Sequence, residues 1–584
     1  MLKRFMMFGK NLVIKFISSL KRFPESILLA TGFVAVMILL NHYDSSEQHD
    51  LLTRLAMIFA LGIPLTLSFK GIIERLPHHQ KMWRISFWAA TAIGLALYFI
   101  FLLKDLKMVS IVRYTAFSIA LYLAFIFIPY YSKRDNFELY GIHLLTNFVT
   151  TYFYSVILYL GLIAILFTVN TLFTLNLNAK LYFDIWLTVA GIFAPVVFLG
   201  GIPENKTELS MENYSKFLKI LLLYIVMPII VAYSAILYVY FGKIIISREW
   251  PVGIVANLVL WFSMISTIVI FFIYPLRNTN QWTDKFVLLF PKFIFPLLAM
   301  MFVAIVKRVQ IYGITENRYF VIIAGLWVTG CMIYFTVSKS PRNINLLVSL
   351  AIITFLSVAG PWSCYSVSKI SQNARFEKLL RNYHMIHQDS IIKPNRPLTI
   401  AAKREISSVL LYFDRYHSLH DVKYLPEDFK LNQMNDVFGT GFNHEIFTDS
   451  GRENSTKYYN ELNDIPWSDI HGYDYFVDLS NRYLAKNSVN VGSMEIFYPD
   501  QSRNVTIILR GKEVYRKNVR DLALTLLRQY KPETKPVRKK MTYTDQNQNI
   551  KIHYIFKQIS GTEDMLTGEI KLDYTEFYLL IKVK

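Results

Sequence analysis

The chain has little cysteine, little charge and none of the common catalytic signatures. Cys331 and Cys364 are the two cysteines among 584 residues. That excludes a thiolate metal cluster and any disulfide framework beyond one bond. Charged residues make up 18%, against about 25% in an ordinary soluble domain. There is no Gly-x-Ser-x-Gly elbow, no Gly-Lys-Ser phosphate loop and no His-Glu-x-x-His helix. The pairs His78-His79 and His384/His387 lack further ligands at metal spacing. Trp467-Ser-Asp-Ile-His471 offers a hydroxyl, a carboxylate and an imidazole, but nothing gathers them around a cavity. No residue is therefore assigned a catalytic, metal-binding or cofactor-binding role. The net charge of +20 comes without zinc-finger spacing or an RNA-binding aromatic motif, which sets nucleic acid aside as a partner.

What is present is apolar length. A bilayer-spanning helix needs about 20 mostly apolar residues. Such stretches recur at Pro24–Leu40, Leu51–Phe69, Trp83–Leu103, Ile111–Pro129, Tyr140–Phe173, Leu181–Leu199, Phe217–Tyr240, Gly253–Tyr274, Phe286–Ile305, Tyr319–Val337 and Asn343–Val367. This pattern predicts a polytopic α-helical membrane protein of about 11 spans, with 10–12 as the range, because Tyr140–Phe173 is long for one span and short for two. Aromatic residues reach 15%, and Trp83, Tyr130, Tyr131, Tyr240, Trp250 and Tyr274 sit near span ends, where amphipathic rings favour the headgroup level. The lipid bilayer is thus the first expected partner. Lys and Arg flanking the spans are expected to contact anionic lipid.

The chain divides into four parts. Residues 1–23 interrupt apolar residues with Lys3, Arg4, Lys10, Lys15, Lys21 and Arg22, which reads as a basic amphipathic segment on the inner leaflet. Residues 24–367 form the multi-span body. Residues 368–438 read as a helical stalk and linker. There Ser368–Ile386 carries a helical stripe, Thr399 caps a helix running to Tyr416, and Pro426 and Gly439 bracket a third. Residues 439–584 read as a soluble α+β domain. Strands are expected at Tyr473–Leu479, Met494–Tyr498, Val505–Leu509, Asn549–Phe556, Gly568–Tyr574 and Glu576–Val583, with a helix at Asn518–Tyr530. The loop Asn435–Tyr458 reads as flexible. Basic residues before the first span place the N-terminus in the cytoplasm. Eleven spans then put the C-terminal domain outside the inner membrane and 10 or 12 put it inside, and Lys104, Lys107, Lys243 and Arg248 fall on the nominal outside.

Ionisable groups inside spans are functional candidates by default, and few occur. Asp184, His143, Asn147 and Lys292 lie near span ends, where interface positions with access to water account for them. The densest polar cluster is Lys307–Arg318, KRVQIYGITENR. Its structural reading gives Gly313 a sharp turn and makes Thr315 the cap of the next helix, with Glu316 in the first turn. Its functional reading gathers Lys307, Arg308, Tyr312, Glu316 and Arg318 at one membrane face to hold an anionic head group or substrate.

Two motifs carry a family resemblance. YGITENRY at Tyr312–Tyr319 follows Lys307-Arg308, and GPWSCYSVSKISQNARFEKLL spans Gly360–Leu380. Phe198-Leu-Gly-Gly-Ile-Pro203 and Tyr274-Pro-Leu-Arg277 agree in style. Together they resemble the bacterial multi-span membrane proteins grouped as domain of unknown function 4153. The resemblance implies an integral protein of a bacterial cytoplasmic membrane and no particular activity. The functional expectation is a non-enzymatic membrane protein whose tail senses or docks a protein partner. The alternative is a transporter or lipid-handling protein that uses the proline-bent spans and the Lys307–Arg318 cluster.

Overall fold

The computed structural model describes residues 13–43, 46–75, 80–131, 137–175, 177–204, 210–247, 254–387, 390–394, 398–439, 455–461, 470–479, 488–498, 504–529, 541–564 and 570–584. Residues 1–12 of the basic segment, 440–454 of the expected loop and Trp467–Asp469 lie outside them.

Ten helices among the described residues are long and apolar enough to cross a membrane: α1 Pro24–His42, α2 His49–Ile73, α3 Ile85–Leu102, α4 Met108–Tyr130, α5 Phe137–Phe173, α6 Lys180–Gly200, α7 Lys216–Ser247, α8 Val255–Leu276, α9 Gln281–Tyr312 and α10 Glu316–Val337. The ambiguous fifth segment is one continuous helix of 37 residues. Its first turns bury Phe137, Tyr140 and Ile142, while Ile165, Phe167, Leu172 and Phe173 are exposed. Exposed apolar side chains on this scale would be an aggregation liability in water and are ordinary against lipid.

The prolines explain local departures from α geometry. A proline lacks the N–H of the helix ladder and its ring collides with the preceding turn. Pro195 and Pro228 each follow a widened π-type turn, Val189–Phe193 and Leu221–Val226. Such a turn absorbs the collision without ending the helix. In α9 the ladder is interrupted at Ile294, and Pro296 takes the first turn of the second half, where a missing N–H costs little.

The eleventh apolar stretch, Asn343–Val367, is built as a 13-residue helix, α11 Ile344–Leu356, then a turn, then α12 Cys364–Asn382. Hydrogen bonds sort the connections onto two ends of the bundle. At one end Arg22 bonds Glu74 and the Ile202 carbonyl, Tyr214 donates to the Phe272 carbonyl, and Asn343 donates to Glu138. At the other end Asn41 bonds Asp184, Arg54 bonds the Leu103 carbonyl, Tyr319 bonds the Trp362 carbonyl and Tyr365 bonds the Val109 carbonyl. The chain thus traverses the bundle once more between Asn343 and Tyr365. The short α11 supplies about 20 Å of that path at about 1.5 Å per residue, and the turn at 357–363 supplies the rest.

The chain forms two compact units, and the division does not follow chain order. The first unit contains Met1–Asn382 and Tyr412–Glu427; the second contains Tyr383–Leu411 and Asp428–Lys584. Helix α13, Ile400–Tyr416, begins where expected, with Thr399 Oγ1 accepting from the Ala402 amide. Gly439 ends the short helix α14, Met434–Phe438, in the left-handed conformation.

The second unit is a sheet protein. Strands β1 Ile386–His387 and β2 Ser390–Ile391 form a small hairpin. Strands β3 Ser455–Glu461, β4 Tyr475–Asp478, β9 Thr542–Gln546, β10 Ile550–Asp564 and β11 Ile570–Val583 form one antiparallel sheet. Strand β10 pairs β11 on one side, and β9 then β3 on the other. Strands β5 Ser488–Val491, β6 Met494–Phe497, β7 Asn504–Leu509 and β8 Lys512–Asn518 form a meander. Helix α15, Val519–Gln529, places Val519, Leu522, Ala523 and Leu526 in a core with Ile496, Ile507, Tyr554, Phe556 and Phe577. The two expected terminal strands, Gly568–Tyr574 and Glu576–Val583, are one 14-residue strand, β11. Two register shifts interrupt its pairing with β10, one skipping Lys557 of β10 and one skipping Asp573 of β11.

Candidate functional site

The sequence cluster lies where α9 turns into α10. Gly313 has φ 68°, a conformation that costs glycine nothing and other residues strain. Its amide donates to the Val309 carbonyl, closing the helix. A Cβ at Gly313 would lie 2.9 Å from Gln372 Nε2, so any other residue would also displace that amide. Gln372, on α12, donates to the carbonyls of Tyr312 at 3.0 Å and Ile314 at 2.9 Å. Ser371 Oγ accepts from the Ile314 amide at 2.8 Å. Thr315 takes the extended cap conformation, and its side chain makes no cap hydrogen bond. α12 supplies bonds to this turn instead.

Arg318 reaches back to the carbonyls of Tyr312 and Gly313, at 3.2 and 2.9 Å, with its guanidinium over the Tyr312 ring. Those carbonyls end a helix that has no further turn to bond them, and a cation also suits that end of the dipole. Lys307 is exposed and Arg308 half-buried, one and a half turns earlier on α9. Tyr312, Gly313, Thr315, Glu316 and Arg318 therefore share one turn, with Lys307 and Arg308 earlier on α9.

Glu316 points inward. One of its oxygens, Oε1, accepts from the Tyr412 hydroxyl at 2.7 Å and lies 2.7 Å from His417 Nε2. Tyr412 and His417 are 2.9 Å apart, completing a triangle. The side chains of Glu316 and His417 are each 3% exposed. Burial, and then the Glu316 carboxylate, push the Tyr412 phenol far above its usual range, so it stays protonated and donates.

The rest of the returning segment is fastened to α12. Lys369 pairs with Asp421 at 3.0 Å, Asn373 donates to the Asp421 carbonyl at 2.8 Å, and the Lys423 amide donates to Asn373 at 2.9 Å. Beside these contacts lies a cavity of about 420 Å³ lined by Arg113, Ser363, Ser366, Lys369, His417 and Asp421, among others. Among the described residues no three His, Cys, Asp or Glu side chains meet in a way that could hold a metal.

Other polar residues of the body are used structurally. His143 and Asn147 bond the carbonyls of Gly201 and Phe198, pinning the end of α6. Asp184 accepts from Asn41 and sits 2.7 Å from His42. Sequence reasoning missed Tyr412, His417, Gln372 and Arg113. Gln372 lay inside the quoted Gly360–Leu380 motif, whereas Tyr412 and His417 sit in a stretch with no motif.

The fold is that of a multi-span helical membrane protein with a C-terminal α+β region. The chain belongs to the family described as Domain of unknown function (DUF4153), whose model matches residues 27–388. It is similar to "Uncharacterized protein PM1469" of Pasteurella multocida (strain Pm70), 24% identical over 232 residues, which cover 39% of each chain. The chain thus spans about two fifths of the length of this curated relative. No solved structure matches.

Proposed function

We propose that the chain is a non-enzymatic protein of a bacterial cytoplasmic membrane whose C-terminal unit senses or docks a protein partner. The event would pass to the helical bundle through the returning segment. One observation carries the reading. Residues 412–427 lie in sequence between two stretches of the C-terminal unit, yet they pack into the membrane unit around a buried carboxylate. A mere tether would need no such commitment, because burying Glu316 is costly unless partners are fixed around it.

Charge in the early loops supports one assignment of the sides, while Lys104, Lys107, Lys307 and Arg318 lie at the opposite end. At the end of the bundle that holds Arg22 lie Lys15, Lys21, Lys70 and Arg75 as well. The Asn41–Asp50 connection at the opposite end has no Lys or Arg. By the positive-inside rule the N-terminus is cytoplasmic. The turn at Gly313 and the start of α12 then face the extracytoplasmic side.

The docking surface we favour is strand β4. Among the described residues it pairs only with β11. Its Tyr475 and Phe476, with nearby Ile470, are exposed, and Phe476 rests against Tyr578. An open strand edge with apolar side chains accepts an extended peptide as an added strand. The test uses Phe476→Cys in the full chain, with Cys331→Ala and Cys364→Ala. An impermeant thiol reagent should label it in intact cells, and a photoreactive maleimide attached there should give one discrete adduct. Protection until lysis would overturn the orientation. Labelling without any adduct would overturn the docking surface.

A further inference from the structure

The polar cavity and a second, apolar one are lined by neighbouring stretches of the same helices. Arg113 lies on α4, and Phe117 is one turn further along the same face. Phe117 lines a second cavity, of about 460 Å³, with Leu65, Leu95, Leu121, Ile352 and Phe355 among its walls. Val358 and Gly360, just beyond Phe355 and Leu356, line the polar cavity. Both cavities fall in the size range of about 300–1,000 Å³ typical of small-molecule sites. They share the α4 face and the end of α11.

Arg113 is the centre of the polar half. It is half-buried, and its guanidinium lies 5.6 Å from the centre of the Tyr365 ring. Among the described residues no hydrogen bond or ion pair uses its N–H donors. An arginine offers five such donors in a fork that fits phosphate oxygens. Ser363 and Ser366, 3.1 Å apart, add hydroxyls at the start of α12. Lys369 adds a second cation, part of whose charge is already taken by Asp421.

We propose that these two cavities together hold one anionic phospholipid, its phosphate at Arg113 and the Ser363–Ser366 pair, and an acyl chain between α2, α3, α4 and α11. The inference does not rest on the docking reading. Loss of lipid binding would leave adduct formation at β4 unchanged, and the reverse also holds.

Gly94 provides a clean probe, since it lines the apolar cavity and a Cβ there meets nothing within 4 Å. Gly94→Leu starts from a Cβ in open space, puts apolar volume into the chain site and improves helix propensity. The full chain would be placed in nanodiscs of phosphatidylcholine with or without phosphatidylglycerol. Retained phosphatidylglycerol would then be measured by native mass spectrometry, beside thermal shifts with inorganic phosphate against chloride at equal ionic strength. The expected result is retained phosphatidylglycerol that falls about tenfold or more in Arg113→Gln, the size expected for losing a charge-assisted contact, and falls comparably in Gly94→Leu. Binding of inorganic phosphate that depends on Arg113 but ignores Gly94→Leu would overturn the lipid assignment in favour of a free phosphate. Retention equal in wild type and Gly94→Leu overturns the site outright, and this holds even where Arg113→Gln fails to accumulate.

Discussion

The two ends of the helical bundle each carry a polar knot, and they are built differently. At the N-terminal end Arg22 bonds both oxygens of Glu74 at 2.9 Å and the Ile202 carbonyl at 2.7 Å. Arg22 and Glu74 keep 20% and 22% of their side chains exposed. Every partner belongs to a helix end that the bundle must hold anyway. At the other end Glu316 is almost fully buried and spends its charge on Tyr412 and His417, which come from a segment nearly a hundred residues away. The first knot closes a bundle. The second ties in a strip of chain that the bundle does not need in order to close.

That contrast predicts unequal costs. Glu316→Ala removes the shared acceptor and leaves a hydroxyl and an imidazole buried without it. Breaking a buried pair this way costs about 3–5 kcal/mol. The loss should appear as a lower melting temperature in detergent. Trypsin should also cut early at Lys423 while the spans stay intact. Glu316→Gln, which keeps an acceptor, should recover part of the loss. A Glu316→Ala protein that melts normally and stays protected at Lys423 would show that the triangle does not hold the segment.

The N-terminal knot should respond more mildly. Arg22→Gln loses hydrogen bonds from a charged group that water already reaches, worth about 1–3 kcal/mol. The melting temperature should fall by less than in Glu316→Ala, and protection at Lys423 should not change. Early cleavage at Lys423 in Arg22→Gln would mean that the two ends are coupled, and the comparison drawn here would fail.

The difference between the knots also marks what could be read in the sequence. Span positions follow from apolar length, which is a one-dimensional quantity. The Gly313 turn was legible too, because a glycine between a basic helix end and Thr-Glu has few other uses. Arg318, which one reading of the sequence put in an anion-binding cluster, bonds the carbonyls of its own turn, a contact set by helix-end geometry. Glu316 was legible as a first-turn acid but not as one corner of a triangle, since Tyr412 and His417 approach it only through the fold of residues 383–427. In the C-terminal unit the alternation of Ile550, Ile552, Tyr554 and Phe556 marked β10 plainly. The length of β11 escaped because its buried positions change parity between Leu572 and Phe577, across the register shift at Ser560/Gly561.

The smallest expected effect separates buried from exposed charge within the second knot itself. Lys369 and Asp421 form a 3.0 Å ion pair, but each keeps 35% of its side chain exposed. Pairs this accessible contribute about 0–1 kcal/mol. The Asp421 backbone carbonyl, which accepts from Asn373, is untouched by a side-chain change. Asp421→Asn should therefore shift the melting temperature little, and the segment should stay protected at Lys423. Raising the salt concentration screens an exposed pair far more than a buried one. Wild-type protection at Lys423 should then hold at 1 M salt. If Asp421→Asn or high salt releases the segment as fully as Glu316→Ala, surface charge rather than the buried triangle fastens it. The segment would then answer to ionic strength outside the membrane, where the triangle would have made it insensitive.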